Sequence, residues 1–149
     1  MKAGVLLISI GMVVLWAGLG CTTRQSTATS PGPHTSKVEI SYDDLLREKF
    51  VTRDITLAVG DTLTVTLASN PSTGFRWTAE TQIGDASVVQ QTSHVSVGPT
   101  SPMVGAPGAE TWTFRALNAG TTTISTEYSQ PWPGGVKADW TFKANVAVH

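Results

Sequence analysis

The chain has 149 residues, 14% of them charged and 40% hydrophobic, with a formal net charge of −1. A chain of this length fits one domain, and no basic block runs along it, which argues against nucleic acid as a partner. Cys21 is the only cysteine, so no internal disulfide can form.

The first segment, MKAGVLLISIGMVVLWAGLGC, carries one cation, Lys2, then an apolar run, then small residues before Cys21. The run is short for a membrane span, which needs about 20 apolar residues. It has the three parts of a secretory signal peptide. The stretch resembles a bacterial lipoprotein signal, in which the cysteine is lipidated and becomes the first mature residue. Gly20 fits that pattern, whereas Gly18 and Leu19 stand in transposed order. The reading is a signal peptide over 1–20, with lipid on Cys21 and the domain exported to the cell envelope. An ordinary cleaved signal and an uncleaved anchor are the alternatives. Residues 22–36, TTRQSTATSPGPHTS, have no large apolar residue, and with Cys21 they read as a flexible tether over 21–36. About 15 residues of coil reach roughly 20 Å.

From residue 37 the pattern has period two. Val38, Ile40 and Tyr42 alternate with polar residues, and so do Ile55, Leu57 and Val59. In DTLTVTL, Leu63, Val65 and Leu67 face one way and Thr62, Thr64 and Thr66 the other. Such alternation marks a strand with one buried and one wet face. Phe75 and Trp77 extend the pattern. Val88, Val95 and Val97 mark a weaker stretch, and Trp112, Phe114 and Ala116 a clear one. Ile124 and Tyr128 follow, and Trp140, Phe142, Ala144, Val146 and Val148 form the last face. Only YDDLLREKF (42–50) has helical character. The profile is all-β: an immunoglobulin-like β-sandwich of about seven or eight strands over residues 37–149, held by packing alone.

Six prolines of this domain fall between the runs, as a sheet requires. Three connections are rich in glycine and proline. Labelling the strands A to G, ASNPSTGFRW joins B to C, GPTSPMVGAPGAE joins D to E, and SQPWPGG joins F to G. In this topology the three share one end of the sandwich. Pro71 fixes its own φ and keeps Asn70 out of the helical region. Gly74 permits a positive φ before the chain re-enters a strand. Stiff loops clustered at one end suggest a recognition edge.

The motifs NPSTGF (70–75), GAPG (105–108) and QPW (130–132), in this order, resemble the chagasin family, protein inhibitors of papain-like cysteine peptidases. The family signatures read Asn-Pro-Thr-Thr-Gly-Tyr/Phe, Gly-x-Gly-Gly and Arg-Pro-Trp, and the resemblance spans roughly residues 38–149. It implies an immunoglobulin-like fold that wedges three loops into the enzyme's cleft. Asn70, Pro71, Ser72, Thr73, Gly74 and Phe75 would enter the catalytic centre, with Ser72 and Thr73 nearest the catalytic pair. Gly105, Ala106, Pro107 and Gly108 would lie along the non-primed side. Gln130, Pro131 and Trp132 would lie on the primed side, Trp132 stacking on an enzyme aromatic. Gln130 stands where the family has arginine and removes a charge. Pro107 stands for a glycine and removes a backbone N–H, while Ser72 for threonine is a mild change. These departures point to altered affinity or target preference.

The physics of the loops suits an inhibitor. A bent, stiff loop offers no extended peptide to cut and loses little entropy on docking. An exposed tryptophan between Pro131 and Pro133 is a typical interface hot spot. Trp77, Trp112 and Trp140 alternate with apolar partners and read as core. Asp43 and Asp44 read as a cap or a solvated pair. His34, His94 and His149 have no zinc spacing. No nucleophile motif or phosphate loop is present, so the chain is read as a non-enzyme without metal or cofactor, monomeric in its domain. The alternative function is a lipid-anchored envelope module binding protein or carbohydrate. A sugar site would need several coplanar exposed aromatics, and the sequence offers Trp132 with Phe75.

Overall fold

A computed structural model describes residues 32–99, 101, 103 and 105–149. The segment read as a signal, and the lipidation expected at Cys21, lie outside them. Nine strands occur among the described residues: β1 (Thr35–Ile40), β2 (Phe50–Leu57), β3 (Thr62–Ser69), β4 (Arg76–Trp77), β5 (Gln82–Ile83), β6 (Val89–Val97), β7 (Gly108–Ala116), β8 (Gly120–Ser129) and β9 (Trp140–Val148). One short helix, α1 (Tyr42–Arg47), links β1 to β2. One sheet runs β1-β3-β7-β6, and the other runs β2-β9-β8-β4 with β5 also pairing β8. Both are mixed: β1 pairs β3 in parallel and β2 pairs β9 in parallel. The strand without a counterpart in the sequence reading is β5, two residues long; β4, equally short, is the stretch marked there by Phe75 and Trp77.

The inner faces share one core. Leu63, Val65, Leu67, Trp112 and Phe114 come from the first sheet, and Val51, Ile55, Ile124, Tyr128, Phe142 and Val146 from the second. Trp77, Trp112 and Trp140 are all buried. Along β3 and β9 burial alternates residue by residue, as the period-two pattern requires. Outward threonines pair across strands, with Thr66 and Thr111 hydroxyls 3.1 Å apart.

Four details differ from the sequence reading. β1 begins at Thr35, inside the stretch read as tether, because Thr35 and Ser36 pair with Thr62 and Leu63. Tyr42 opens α1 rather than continuing β1; Ser41 and Asp44 form a capping box that starts the helix there. Tyr42 is still half-buried, edge-on to Trp140 at 5.4 Å. Val59 lies beyond β2 in the turn ending at Gly60 and is 52% exposed. Val95 and Val97 are in β6 but face outward. A bulge between Gln91 and Ser93 adds one residue against β7, which moves every later side chain to the opposite face. Val89 before the bulge is buried, and after it His94 is the residue that turns inward onto Trp112.

Candidate functional site

Three loops meet at one end of the sandwich. The first leaves β3 at Ser69 and enters β4 at Arg76, crossing between sheets. The second leaves β6 at Val97 and enters β7 at Gly108. The third leaves β8 at Ser129 and enters β9 at Trp140. The registers Ser69↔Gly108, Val97↔Ala109 and Arg76↔Ser129 bring all three to the same rim.

The first loop is a single 3-10 turn over Pro71–Thr73. Asn70 is its cap: it is extended (φ −128°), and its side chain accepts from the backbone N–H of Ser72. The Ser72 hydroxyl donates to the same Asn70 Oδ1, and the Thr73 hydroxyl donates to Asn70 O at 2.7 Å. Gly74 closes the turn at φ +79°, a conformation that disfavours any other residue. The hydroxyls expected nearest a catalytic pair are thus spent inside the loop, and what the loop presents outward is a rigid bend. Asn70 itself is buried, and Ser72 and Thr73 are exposed.

Tyr128 on β8 anchors this loop from below. Asn70 N–H donates to its hydroxyl at 2.8 Å, and the hydroxyl donates to Asn70 O at 3.3 Å. The ring stacks on Trp140 at 4.8 Å and on Phe75 at 5.4 Å. Burial pushes the Tyr128 hydroxyl above the ordinary tyrosine range, against the pull of its hydrogen bond with Asn70. Phe75, the last residue of the first motif, is half-buried on this stack rather than presented to solvent.

The loops also hold one another. Asn70 Nδ2 donates to Gly105 O at 3.3 Å, tying the first loop to the second. The Trp132 indole lies over Gly74, where an added Cβ would sit 2.5 Å from Cη2, so the third loop closes on the first. Trp132 remains 46% exposed. Pro71, Gly105, Pro107 and Pro131 are exposed along the same rim, while Ala106 and Gly108 are half-buried. Gly108 is required by contact: a Cβ there would meet Val97 O at 2.6 Å, at the neck of the second loop. Gly105 is required by conformation, at φ +84°.

Gln130 folds onto its own loop. Its backbone N–H donates to Val136 O at 2.8 Å, and its side-chain Oε1 accepts from Val136 N–H at 3.0 Å. The side chain therefore closes its own loop instead of reaching outward.

Two features escaped sequence reasoning. Glu110, only 5% exposed, accepts from Trp77 N–H at 3.3 Å and pairs with His94 Nε2 at 2.9 Å beneath the first loop. Continued back from Trp112, Phe114 and Ala116, the alternation puts Glu110 on the inward face, although its charge argues against burial; only β6–β7 pairing makes His94 its partner. Phe50 is 68% exposed at the start of β2. It lies in a strand whose inward face begins one residue later, at Val51, and the pattern of 50–57 could have shown it. Among the described residues no cluster of three His, Cys, Asp or Glu could hold a metal ion. No described helix is long and apolar enough to cross a membrane.

Comparison with known proteins places this arrangement. Residues 56–146 match the family described as Chagasin family peptidase inhibitor I42. The chain is 35% identical over 91 residues to Amoebiasin-2 of Entamoeba histolytica, covering 61% of this chain and 73% of that one. It is 33% identical over 82 residues to Chagasin of Trypanosoma cruzi, covering 54% and 74%. In fold it is similar to the cysteine protease inhibitor EhICP2 of Entamoeba histolytica, with a TM-score of 0.62 at 21% identity over 80% of this chain and 100% of that one. It is likewise similar to PbICP-C, solved in complex with falcipain-2, with a TM-score of 0.59 at 16% identity over 76% and 99%. By the family match and the identity to both relatives, this chain belongs to the chagasin family of peptidase inhibitors.

Proposed function

We propose that this protein is a reversible inhibitor of papain-like cysteine peptidases that occludes the active-site cleft with its three linked loops, and is not itself an enzyme. One observation carries the reading: the loops form a single braced ridge, Asn70 bonded to Gly105 and Trp132 seated on Gly74. A ridge already ordered before docking loses little conformational entropy on binding. The 3-10 turn at its crest keeps the peptide out of the extended form that a cleft enzyme cuts. Chagasin, Amoebiasin-2 and EhICP2 support the inhibitory class, and the falcipain-2 complex of PbICP-C supports the class of partner. Asn70–Phe75 would plug the catalytic centre, with Gly105–Gly108 and Gln130–Trp132 on either side.

Trp132→Ala and Thr73→Ala test the assignment in the full chain. Each should weaken inhibition of papain at matched folding stability, and unchanged inhibition in both would remove the loops from the interface. The envelope-module alternative gains little support. Of the two aromatics the loops offer a sugar site, Phe75 is half-buried on Tyr128, and Trp132 is the exposed one.

Export and lipidation of Cys21 are part of the same proposal. The leader and the Cys21 position support them. Labelled palmitate should enter the wild-type chain in a bacterial host and not the Cys21→Ser variant; equal labelling would contradict it.

A further inference from the structure

We propose that Lys137 is the residue that positions Trp132, acting through the backbone of the third loop. The inference deepens the inhibitory reading and rests on it. Trp132 sits in a ten-residue connection from Gln130 to Asp139 that contains Pro131 and Pro133. Prolines donate no backbone hydrogen bond. The loop must therefore be tied by its other groups. At the base, Gln130 closes on Val136 through backbone and side chain. At the tip, Gly135 N–H donates to Trp132 O at 3.1 Å. The Lys137 ammonium joins base to tip: it donates to Gln130 O and to Trp132 O, the latter at 3.3 Å.

Those two carbonyls flank Pro131 and converge on one point. A three-donor cation suits that point, and an uncharged chain of the same length does not. The indole is then confined by two glycines. Gly74 lies against the ring, and a Cβ on Gly135 would sit 3.1 Å from Nε1. These contacts limit where the ring can go only while the Trp132 backbone stays in place. Lys137 is followed by Ala138 at φ +50°, whose N–H donates to the Ser129 hydroxyl at 2.8 Å. The segment bearing the ammonium is thereby turned back over the loop and fixed at its far end.

The test compares Lys137→Met, Lys137→Arg, Trp132→Ala and the Lys137→Met/Trp132→Ala double variant in the full chain. Association and dissociation rates are measured with papain at two salt concentrations. The Trp132 indole N–H resonance is followed by nuclear magnetic resonance, assigned by its loss in Trp132→Ala. Lys137→Met should weaken inhibition about tenfold through faster dissociation, and shift or broaden the indole resonance. Lys137→Arg should restore both. In the Trp132→Ala background, Lys137→Met should add almost nothing, because it acts through Trp132. A full additive loss in that background overturns the proposal, as does an association-rate effect that vanishes at high salt with the indole unchanged; either makes Lys137 a direct or steering contact. If the wild-type chain does not inhibit, the inhibitory reading fails, and the indole resonance alone decides whether Lys137 holds Trp132.

Discussion

Gly74→Ala probes the joint between the first and third loops. Two effects act at once. The residue sits at φ +79°, where an L-residue costs about 1–2 kcal/mol. The unfolded chain is also stiffened, which returns about 0.4–1 kcal/mol. The net loss of stability from backbone alone is therefore about 1 kcal/mol. The second effect falls on Trp132. The new methyl would lie 2.5 Å from Cη2 and 3.1 Å from Cζ3. Carbon atoms rest about 3.5–4.0 Å apart, so the indole must move outward by about 1 Å or swing away. Because hot-spot contacts tolerate little displacement, inhibition should fall by more than tenfold, far beyond the share of molecules unfolded by 1 kcal/mol. The assay is a urea melt of the variant beside a titration against papain. A variant that loses about 1 kcal/mol and keeps full inhibition would refute the coupling of Trp132 to Gly74 as a binding feature.

Tyr128→Phe keeps the aromatic stack and removes the hydroxyl that receives Asn70 N–H, leaving a buried donor unpaired; it should cost about 1–3 kcal/mol in a urea melt and weaken inhibition, and a neutral result would show the loop root is held by stacking alone. Ala138→Gly relieves a left-handed alanine, so stability should change by less than about 0.5 kcal/mol, where alanine-to-glycine changes elsewhere in a fold cost about 0.5–1; a loss beyond that would contradict the strain at Ala138. Acid should destabilise the fold through three carboxylates. The backbone N–H groups of Ala58 and His34 hold Asp61 below the ordinary range, the Ser87 hydroxyl and N–H do so for Asp85, and the Ser41 hydroxyl and N–H for Asp44. Each is lower in the folded state, so its contribution is present above the ordinary aspartate value of about 4 and is lost as pH falls through the depressed one. Stability measured by urea should therefore decline from about pH 4 downward, less steeply in Asp61→Asn, and a profile identical in that variant would remove Asp61 as a contributor.

The faces of the strands were legible because alternation is local. Leu63, Val65 and Leu67 point inward for the reason the sequence suggests, and Gly74 adopts the positive φ that its place before a strand demands. The gathering of three loops at one end also followed from strand order. What escaped was pairing at a distance. Alternation says which way Val38 and Ile55 face, not that β1 runs parallel to β3 or β2 to β9. The bulge after Gln91 reversed the sense of Val95 and Val97, and no residue type there announces it. Gln130 looked like a lost charge when read alone. Its role depends on Val136, six residues on, and Lys137 beyond it has no motif to mark it.

The most direct measurement of the central claim is a titration of the full chain against papain, followed by recovery of the inhibitor from the complex. The account predicts loss of activity at one inhibitor per enzyme, activity regained on dilution, and a recovered chain uncut between Asn70 and Phe75. A folded chain that leaves papain and a cathepsin L-type enzyme active at micromolar concentration, or that is cleaved within that loop as activity returns, would contradict it.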